Sequence, residues 1–489
     1  MRHSNVCSRL APWSFFGLFF ASFLAACSGS SEPARDPGDA WAVPPAPPSD
    51  VYSGPLFEMS YDYPRNPVSP VSPLPWQEAI GGGEIDAGNA HAYVSGLKDH
   101  VAEDMRTLLF DNASWDAAEA GWYNAPWLSA RREPIHGTYV GNTLPAAMFP
   151  QSGLTKEMST HVVVYYDAVA AGSLQTIFGA DPTAPVPGLE AGGGQFPESG
   201  IIVKPAFTTA GGADWPPIDG AFPWQIWAQP GGGGGQGDPL MQTIYLFQLD
   251  LIVKDSLAAP DSGWVFATLV YDASVQGDFW DQMVPLGAMW GNDPDVDSPQ
   301  GCDYLVVGDC PALSESWINQ DTPLYARETL GWGGRLSGPN DGAVDINAAV
   351  RTEAGIVPGG ARQAVSSCMS CHGVAEYSQK SFLLPVASEC STETNSCRPS
   401  TASCTGGACV EDPDGDRLLY FETGSDDFLR WFQSRPGDEA QDEGAIPLDY
   451  GMNIAFVALP EWTKALSPQA AAAAEELNPT LENLSIPFD

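Results

Sequence analysis

The chain has 489 residues, room for roughly two to four domains, and its 44% hydrophobic and 11% aromatic content is too much buriable surface for a disordered protein. Lys plus Arg total 21 against 61 Asp plus Glu, a formal charge of −40, so a phosphate backbone is repelled and nucleic-acid binding is excluded. The 51 Gly and 44 Pro lie well above the usual combined share of about 12% and suit a chain of turns and short strands better than a helical bundle.

At the N-terminus Arg2 and Arg9 precede an apolar run from Leu10 to Ala26, the pattern of a secretory signal over residues 1–26. The run closes on Leu24-Ala25-Ala26-Cys27, which resembles the lipobox of bacterial lipoproteins. That resemblance implies lipidation of Cys27. With Ser28 behind the cysteine, it also implies an outer-membrane lipoprotein of a Gram-negative cell envelope, facing the periplasm or the cell surface. An ordinary signal peptide with a chance cysteine is the alternative. Residues 27–55 are Ser/Pro-rich, cannot bury a core, and read as a tether.

Residues 56–349 read as a β-rich body with an N-terminal helix. From Leu56 to Pro75 the chain is dense in Pro and aromatics and is expected to lie across a surface as an extended arm. Ala92, Leu97, Val101, Met105, Leu108 and Leu109 recur at three- and four-residue spacings and predict a helix near 92–110. Runs of β-branched and aromatic residues at 160–166, 200–208, 243–254 and 263–271, bounded by Gly and Pro, predict strands. The expected fold is α+β: a β-sandwich-like body with helical flanks and a C-terminal c-haem-binding region. The glycine runs 192–194 and 231–235 do not continue into a phosphate-loop signature.

Residues 350–489 form the chemically distinctive region, with helical pieces expected at 426–433 and 461–466. Cys368-Met369-Ser370-Cys371-His372 is a C-x-x-C-H sequence, the attachment pattern of c-type haem. Two cysteines three positions apart on one turn reach both vinyl groups as thioethers, and the next residue offers its imidazole to the iron. Cys368 and Cys371 are thus the anchors of one covalent haem c, and His372 is the proximal ligand. Export through a signal peptide agrees with this chemistry. The competing readings are a disulfide framework with an incidental histidine, and a zinc site needing two further ligands.

An oxidising compartment favours pairing of the other cysteines. Cys390, Cys397, Cys404 and Cys409 crowd a Ser/Thr-rich stretch suited to two local disulfides, and Cys302 and Cys310 bound a short loop that a third can close. Met452 is the first candidate for the sixth iron position, by its order downstream of the motif, with His136, His161 and Met289 behind it. His161, inside a strand pattern, reads better as structural. Met369 lies between the anchors on the proximal side and is set aside.

Asp293, Asp295 and Asp297, and Asp412, Asp414 and Asp416, do not fit an EF-hand, because position six is not glycine in the first and position twelve is not Glu in either. They read as solvated acidic loops. Trp215, Trp224, Trp227, Trp264, Trp290, Trp317 and Trp332 suit core packing better than a sugar platform. No nucleophile-base-acid constellation supports hydrolysis.

Beyond the haem motif, the segments REPIHGTYVG, SGWVFATLVYDAS, VPLGAMWGNDP, ESWIN, LGWGGRLSGPNDG and SSCMSCHG, across about 130–375, resemble a family of bacterial proteins identified as cytochrome c family. The resemblance implies a β-rich body followed by one covalent haem on Cys368, Cys371 and His372, and carries no reaction with it. The cysteine-rich stretch 390–409 departs from that family. The functional expectation is a monohaem c-type cytochrome lipoprotein relaying single electrons, with a basic redox partner protein attracted by the acidic surface. The alternatives are a peroxidase- or oxygenase-type haem enzyme or gas sensor with an open sixth position, and a surface protein binding carbohydrate or aromatic ligands.

Overall fold

The structure, a computed structural model, describes residues 44–126, 132–144, 146, 152–179, 189, 194–230, 238–293, 313–329, 350–352, 355–357, 368–373, 375–377, 388–391, 396–399, 433–441 and 444–459. The signal, Cys27, Cys302, Cys310, Cys404, Cys409, Trp332, Asp295, Asp297, the acidic run at 412–416, almost all of the expected helix at 426–433 and the helix at 461–466 lie outside them.

Residues 51–74 run without helix or strand, as expected of the arm. They are fastened by buried Tyr63, whose hydroxyl donates to the Asn124 carbonyl at 2.6 Å, and by the Ser60 N–H on Asn124 Oδ1 at 3.1 Å. Helices α1 (Pro75–Ala79) and α2 (Ala90–Phe110) follow. The α2 periodicity buries Leu97, Val101, Met105, Leu108 and Leu109 as expected, but Ala90, Tyr93 and Val94, rather than Ala92, are the residues buried at its start. Gly96 admits the close approach of α1: a Cβ there would meet Trp76 Cα at 2.9 Å. Among the described residues no helix is long and apolar enough to cross a membrane.

The body is one ten-stranded antiparallel sheet. Its strands are β1 (Trp122–Tyr123), β2 (Tyr139–Leu144), β3 (Met158–Val162), β4 (Tyr165–Asp167), β5 (Ile201–Thr208), β6 (Pro223–Ala228), β7 (Leu240–Lys254), β8 (Trp264–Tyr271), β9 (Met283–Met289) and β10 (Ser316–Ile318), with helix α3 (Ala171–Phe178) between β4 and β5. All four expected strand runs are present, the first broken into β3 and β4. The sheet forks. One edge of β5 pairs with β4 near Ile202 and with β3 near Phe207, and β7 pairs with β6 through its first half and with β8 through its second. Between the Ala206–Gln248 and Phe207–Leu246 pairs Phe247 is an extra residue, a bulge that bends β7 at the fork. The α+β class therefore holds, and its sheet body is a single forked sheet whose two arms share β5 and β7.

Beyond β10 come α4 (Leu324–Thr329), the pair β11 (Val350–Thr352) and β12 (Gly355–Val357), α5 (Cys368–His372), β13 (Glu376–Tyr377), the pair β14 (Ser388–Ser391) and β15 (Ser396–Pro399), and β16 (Ile446–Pro447). The register of β14 and β15 sets Cys390 opposite Cys397.

Register sorts the two faces of the sheet, because directly paired residues share a face and neighbours along a strand alternate. The row Tyr165, Val203, Leu251, Ala267, Ala288, Trp317 lies on one face. Helix α2 covers it, with His91 edge-on to Trp317 at 5.6 Å between ring centres. The row Tyr166, Ile202, Ile252, Phe266, Met289, Ser316 lies on the opposite face. That face receives the C-terminal region. Asp255, just past β7, locks the helical side: its Oδ2 accepts from Trp76 Nε1 (3.0 Å), Gln77 Nε2 (2.8 Å) and the Tyr93 hydroxyl (2.7 Å).

Asp293 corrects the solvated-loop expectation. It is 1% exposed, and its Oδ1 accepts the Ser314 N–H (2.6 Å) and the Glu315 N–H (2.8 Å), so it braces the turn into β10. Four of the tryptophans singled out, Trp215, Trp224, Trp264 and Trp290, are buried, as core packing requires.

Candidate functional site

The motif Cys368-Met369-Ser370-Cys371-His372 is the single turn α5. Met369 is fully buried, anchoring the turn in the core, while Cys368 and His372 are half-buried. The Gly373 N–H closes the turn on the Met369 carbonyl at 2.8 Å, and a Cβ at Gly373 would meet that same oxygen at 2.8 Å. Glycine is what lets the chain leave the motif this tightly.

His372 is held on two sides. Its ring stands edge-on to Phe266 of β8, with centres 4.8 Å apart and planes at 64°. Its Nδ1 is 2.9 Å from the main-chain oxygen of Tyr450. A carbonyl has no proton to give, so Nδ1 is the donor and the ring carries its hydrogen there. In the neutral ring the lone pair is then on Nε2. A neutral imidazole with a fixed Nδ1–H donor and an Nε2 lone pair is a ready metal ligand.

The Tyr450 carbonyl comes from a segment built around β16. Pairing of β13 with β16 sets Glu376 opposite Pro447, and the Leu448 N–H donates to the Ala375 carbonyl at 2.9 Å, so the chain just past the motif supports the segment that holds its histidine. Asp449 and Tyr450 then adopt φ of 47° and 65°, left-handed backbone at two consecutive non-glycine residues. Asp449, its side chain wholly buried, accepts from Lys254 Nζ (2.6 Å) and Trp264 Nε1 (2.8 Å) on Oδ1, and from the Phe196 N–H (2.7 Å) on Oδ2. The Tyr450 hydroxyl donates to the Arg435 carbonyl at 2.8 Å, and burial pushes its phenol well above the ordinary tyrosine range.

Met452 comes near the motif through its backbone. Its N–H donates to the same Tyr450 carbonyl at 2.9 Å, which puts the Met452 main chain on the Nδ1 side of the His372 ring, and the residue is 5% exposed. Met289 is buried beside Phe266 in the cross-strand register. His136 stacks on Trp224 (4.1 Å between centres, 15°) and meets Asn112 Oδ1 at 2.8 Å, and His161 is 2% exposed within β3. Burial lowers both imidazoles to a pKa of about 4. Among the described residues no three His, Cys, Asp or Glu side chains converge as a metal cluster.

Tyr450, Asp449, Lys254 and Trp264 were not legible as site residues in the sequence. The contribution of Tyr450 is a backbone oxygen, which every residue has, and Lys254 and Asp449 are 195 positions apart. The nearest signal was the prominence of Met452, two residues beyond that carbonyl. No family model, curated protein or solved structure matches the chain.

Proposed function

We propose that the protein is a monohaem c-type cytochrome that relays single electrons in the cell envelope, with one covalent haem c on Cys368 and Cys371 and His372 as the proximal iron ligand. The observation that carries this reading is the His372 Nδ1 to Tyr450 carbonyl hydrogen bond of 2.9 Å, which makes Nε2 the nitrogen that would coordinate iron. Positions 368 and 371 lie one turn apart in α5, the spacing that two thioether bonds require. When bound, haem supplies reversible one-electron chemistry at iron. The chain's own residues do the rest. Met369 seats the turn in the core, Phe266 shields one edge of the imidazole, and the Tyr450 carbonyl keeps the proton on Nδ1. An incidental histidine does not call for the oriented imidazole, and a zinc site would need two ligands beyond the motif.

Cys27 carries the lipid in this reading, Cys302, Cys310, Cys390, Cys397, Cys404 and Cys409 form structural disulfides, and the acidic surface draws a basic redox partner. Burial of Trp215, Trp224 and Trp264 weakens the alternative of an exposed aromatic sugar platform.

A second reading, a haem enzyme or gas sensor with an open sixth position, is favoured by one observation: the Met452 backbone lies on the Nδ1 side of His372, away from Nε2. The visible spectrum of the reduced protein with and without carbon monoxide separates the two. Electron transfer expects c-haem bands that carbon monoxide leaves in place, and M452A identifies Met452 as the sixth ligand if that variant alone becomes reactive. Bands that shift in the parent protein transfer the assignment to the open-site reading, and absence of covalent haem from the parent overturns both.

A further inference from the structure

Asp449 and Tyr450 are consecutive non-glycine residues in left-handed backbone, a conformation that residues other than glycine disfavour. Such strain persists where the surroundings over-determine it. Here they do so from three directions: Lys254 at the end of β7, Trp264 at the start of β8, and the Phe196 N–H ahead of β5 all donate to the one buried carboxylate. The peptide oxygen that follows is the one His372 uses.

A buried ion pair is a poor device for stability alone, because the desolvation of two charges offsets most of their attraction. A neutral amide at position 449 avoids that cost but has one acceptor oxygen, so it can keep the Trp264 or the Phe196 hydrogen bond and not both. What the charge adds is grip. Lys254 Nζ pulls the carboxylate against β7 and β8, the strands that also carry Trp264 and Phe266, and so registers the Asp449–Tyr450 turn to the sheet face on which His372 rests. The Tyr450 ring, 6.3 Å from Trp264 and 6.1 Å from Phe266 between centres, and its hydroxyl on the Arg435 carbonyl fix the far side of the same residue.

We propose that Asp449, clamped by Lys254 and Trp264, is a positioning residue for the iron ligand: it fixes the Tyr450 carbonyl against His372 Nδ1 and thereby sets how strongly the imidazole donates to the metal. This rests on the haem reading above. A strong Nδ1–H to carbonyl bond makes the imidazole a better donor and favours ferric over ferrous iron, so loosening the clamp shifts the haem toward its reduced form.

The test is spectroelectrochemical titration of the full chain with covalent haem, comparing the parent with K254Q, K254R and the double variant K254M/D449N. The haem content of each is measured first as the pyridine haemochrome. Charge and positioning predict opposite signs for K254Q. Removing a cation near iron disfavours the ferrous state, whereas releasing the carbonyl favours it. The clamp predicts that the equilibrium constant for reduction rises in K254Q, by about tenfold if it scales as the roughly 10-fold lower bound on metal affinity or activity when outer hydrogen-bond partners are lost. It predicts the same direction in K254M/D449N, which changes no net charge, and a return toward the parent value in K254R. A fall in K254Q, or an unchanged constant in the double variant, overturns the proposal while leaving the haem reading intact. Should K254Q fail to fold, the double variant, which leaves no buried charge unpaired, decides alone. A parent protein without covalent haem fails the haem reading itself.

Discussion

His372 and Tyr450 are joined across 78 residues of sequence by one 2.9 Å hydrogen bond from an imidazole nitrogen to a main-chain carbonyl. The bond sets the hydrogen on Nδ1 and links the motif on α5 to a turn gripped by the central sheet.

Replacing both Cys368 and Cys371 with serine is expected to abolish covalently bound haem while leaving the body folded, because Met369, which seats the turn in the core, is unchanged. Haem staining on a denaturing gel reads this directly. A double variant that keeps the stain would remove the basis for the cytochrome reading.

Asp255 ties α1 and α2 to the end of β7 through three side-chain donors on one oxygen. D255A strands those three buried donors and is expected to cost about 3–5 kcal/mol. Urea unfolding measures it, and a loss under about 1 kcal/mol would show that water replaces the carboxylate without penalty.

Stability should depend on pH through two opposed groups. His136 and His161 are lowered by burial to about 4, so their contribution is full above the ordinary histidine value of 6.5 and is lost as pH falls through 4. Asp167 is raised by burial to about 6, against hydrogen bonds from Ala170 and Ile201, so its contribution is full below 3.8 and is lost as pH rises through 6. D167N is therefore expected to steepen the rise of stability between pH 4 and 6, and H161Q to flatten it, each by up to about 3 kcal/mol across that window. Chemical denaturation at half-unit pH steps reads both slopes. Parallel curves for parent and variants would contradict the assignment.

A chain carrying −40 should exchange electrons fastest with a lysine-rich carrier at low salt. Raising ionic strength from about 0.01 to about 0.5 M shortens the Debye length severalfold and is expected to slow the bimolecular rate about tenfold or more. Stopped-flow traces with a basic and an acidic carrier distinguish steering from a charge that only maintains solubility: a salt-independent rate with the basic carrier rejects steering.

The elements that form from neighbouring residues were legible in advance. The 3.6-residue periodicity of Leu97, Val101, Met105 and Leu108 places α2 within two residues of its observed start, because a helix is decided by which side chains share its own face. The β-branched runs around Ile202, Ile252 and Phe266 give β5, β7 and β8 for the same local reason. The C-x-x-C-H motif also stands in the sequence, since its chemistry requires residues within a single turn. The forking of the sheet was not legible: it depends on which strands share an edge of β5 and of β7, and apolar runs pair equally well in many orders. Nor was the solvated-loop expectation for Asp293 safe, since a carboxylate's surroundings are set by whichever backbone donors fold back onto it. The sequence by itself determined a β-rich, strongly acidic chain that carries a C-x-x-C-H motif. Only the tertiary structure decided that Tyr450 offers its carbonyl to His372 and that Lys254 and Trp264 hold Asp449 behind it, because a backbone oxygen and a buried charge acquire their partners through long-range chain closure, which leaves no local pattern to read.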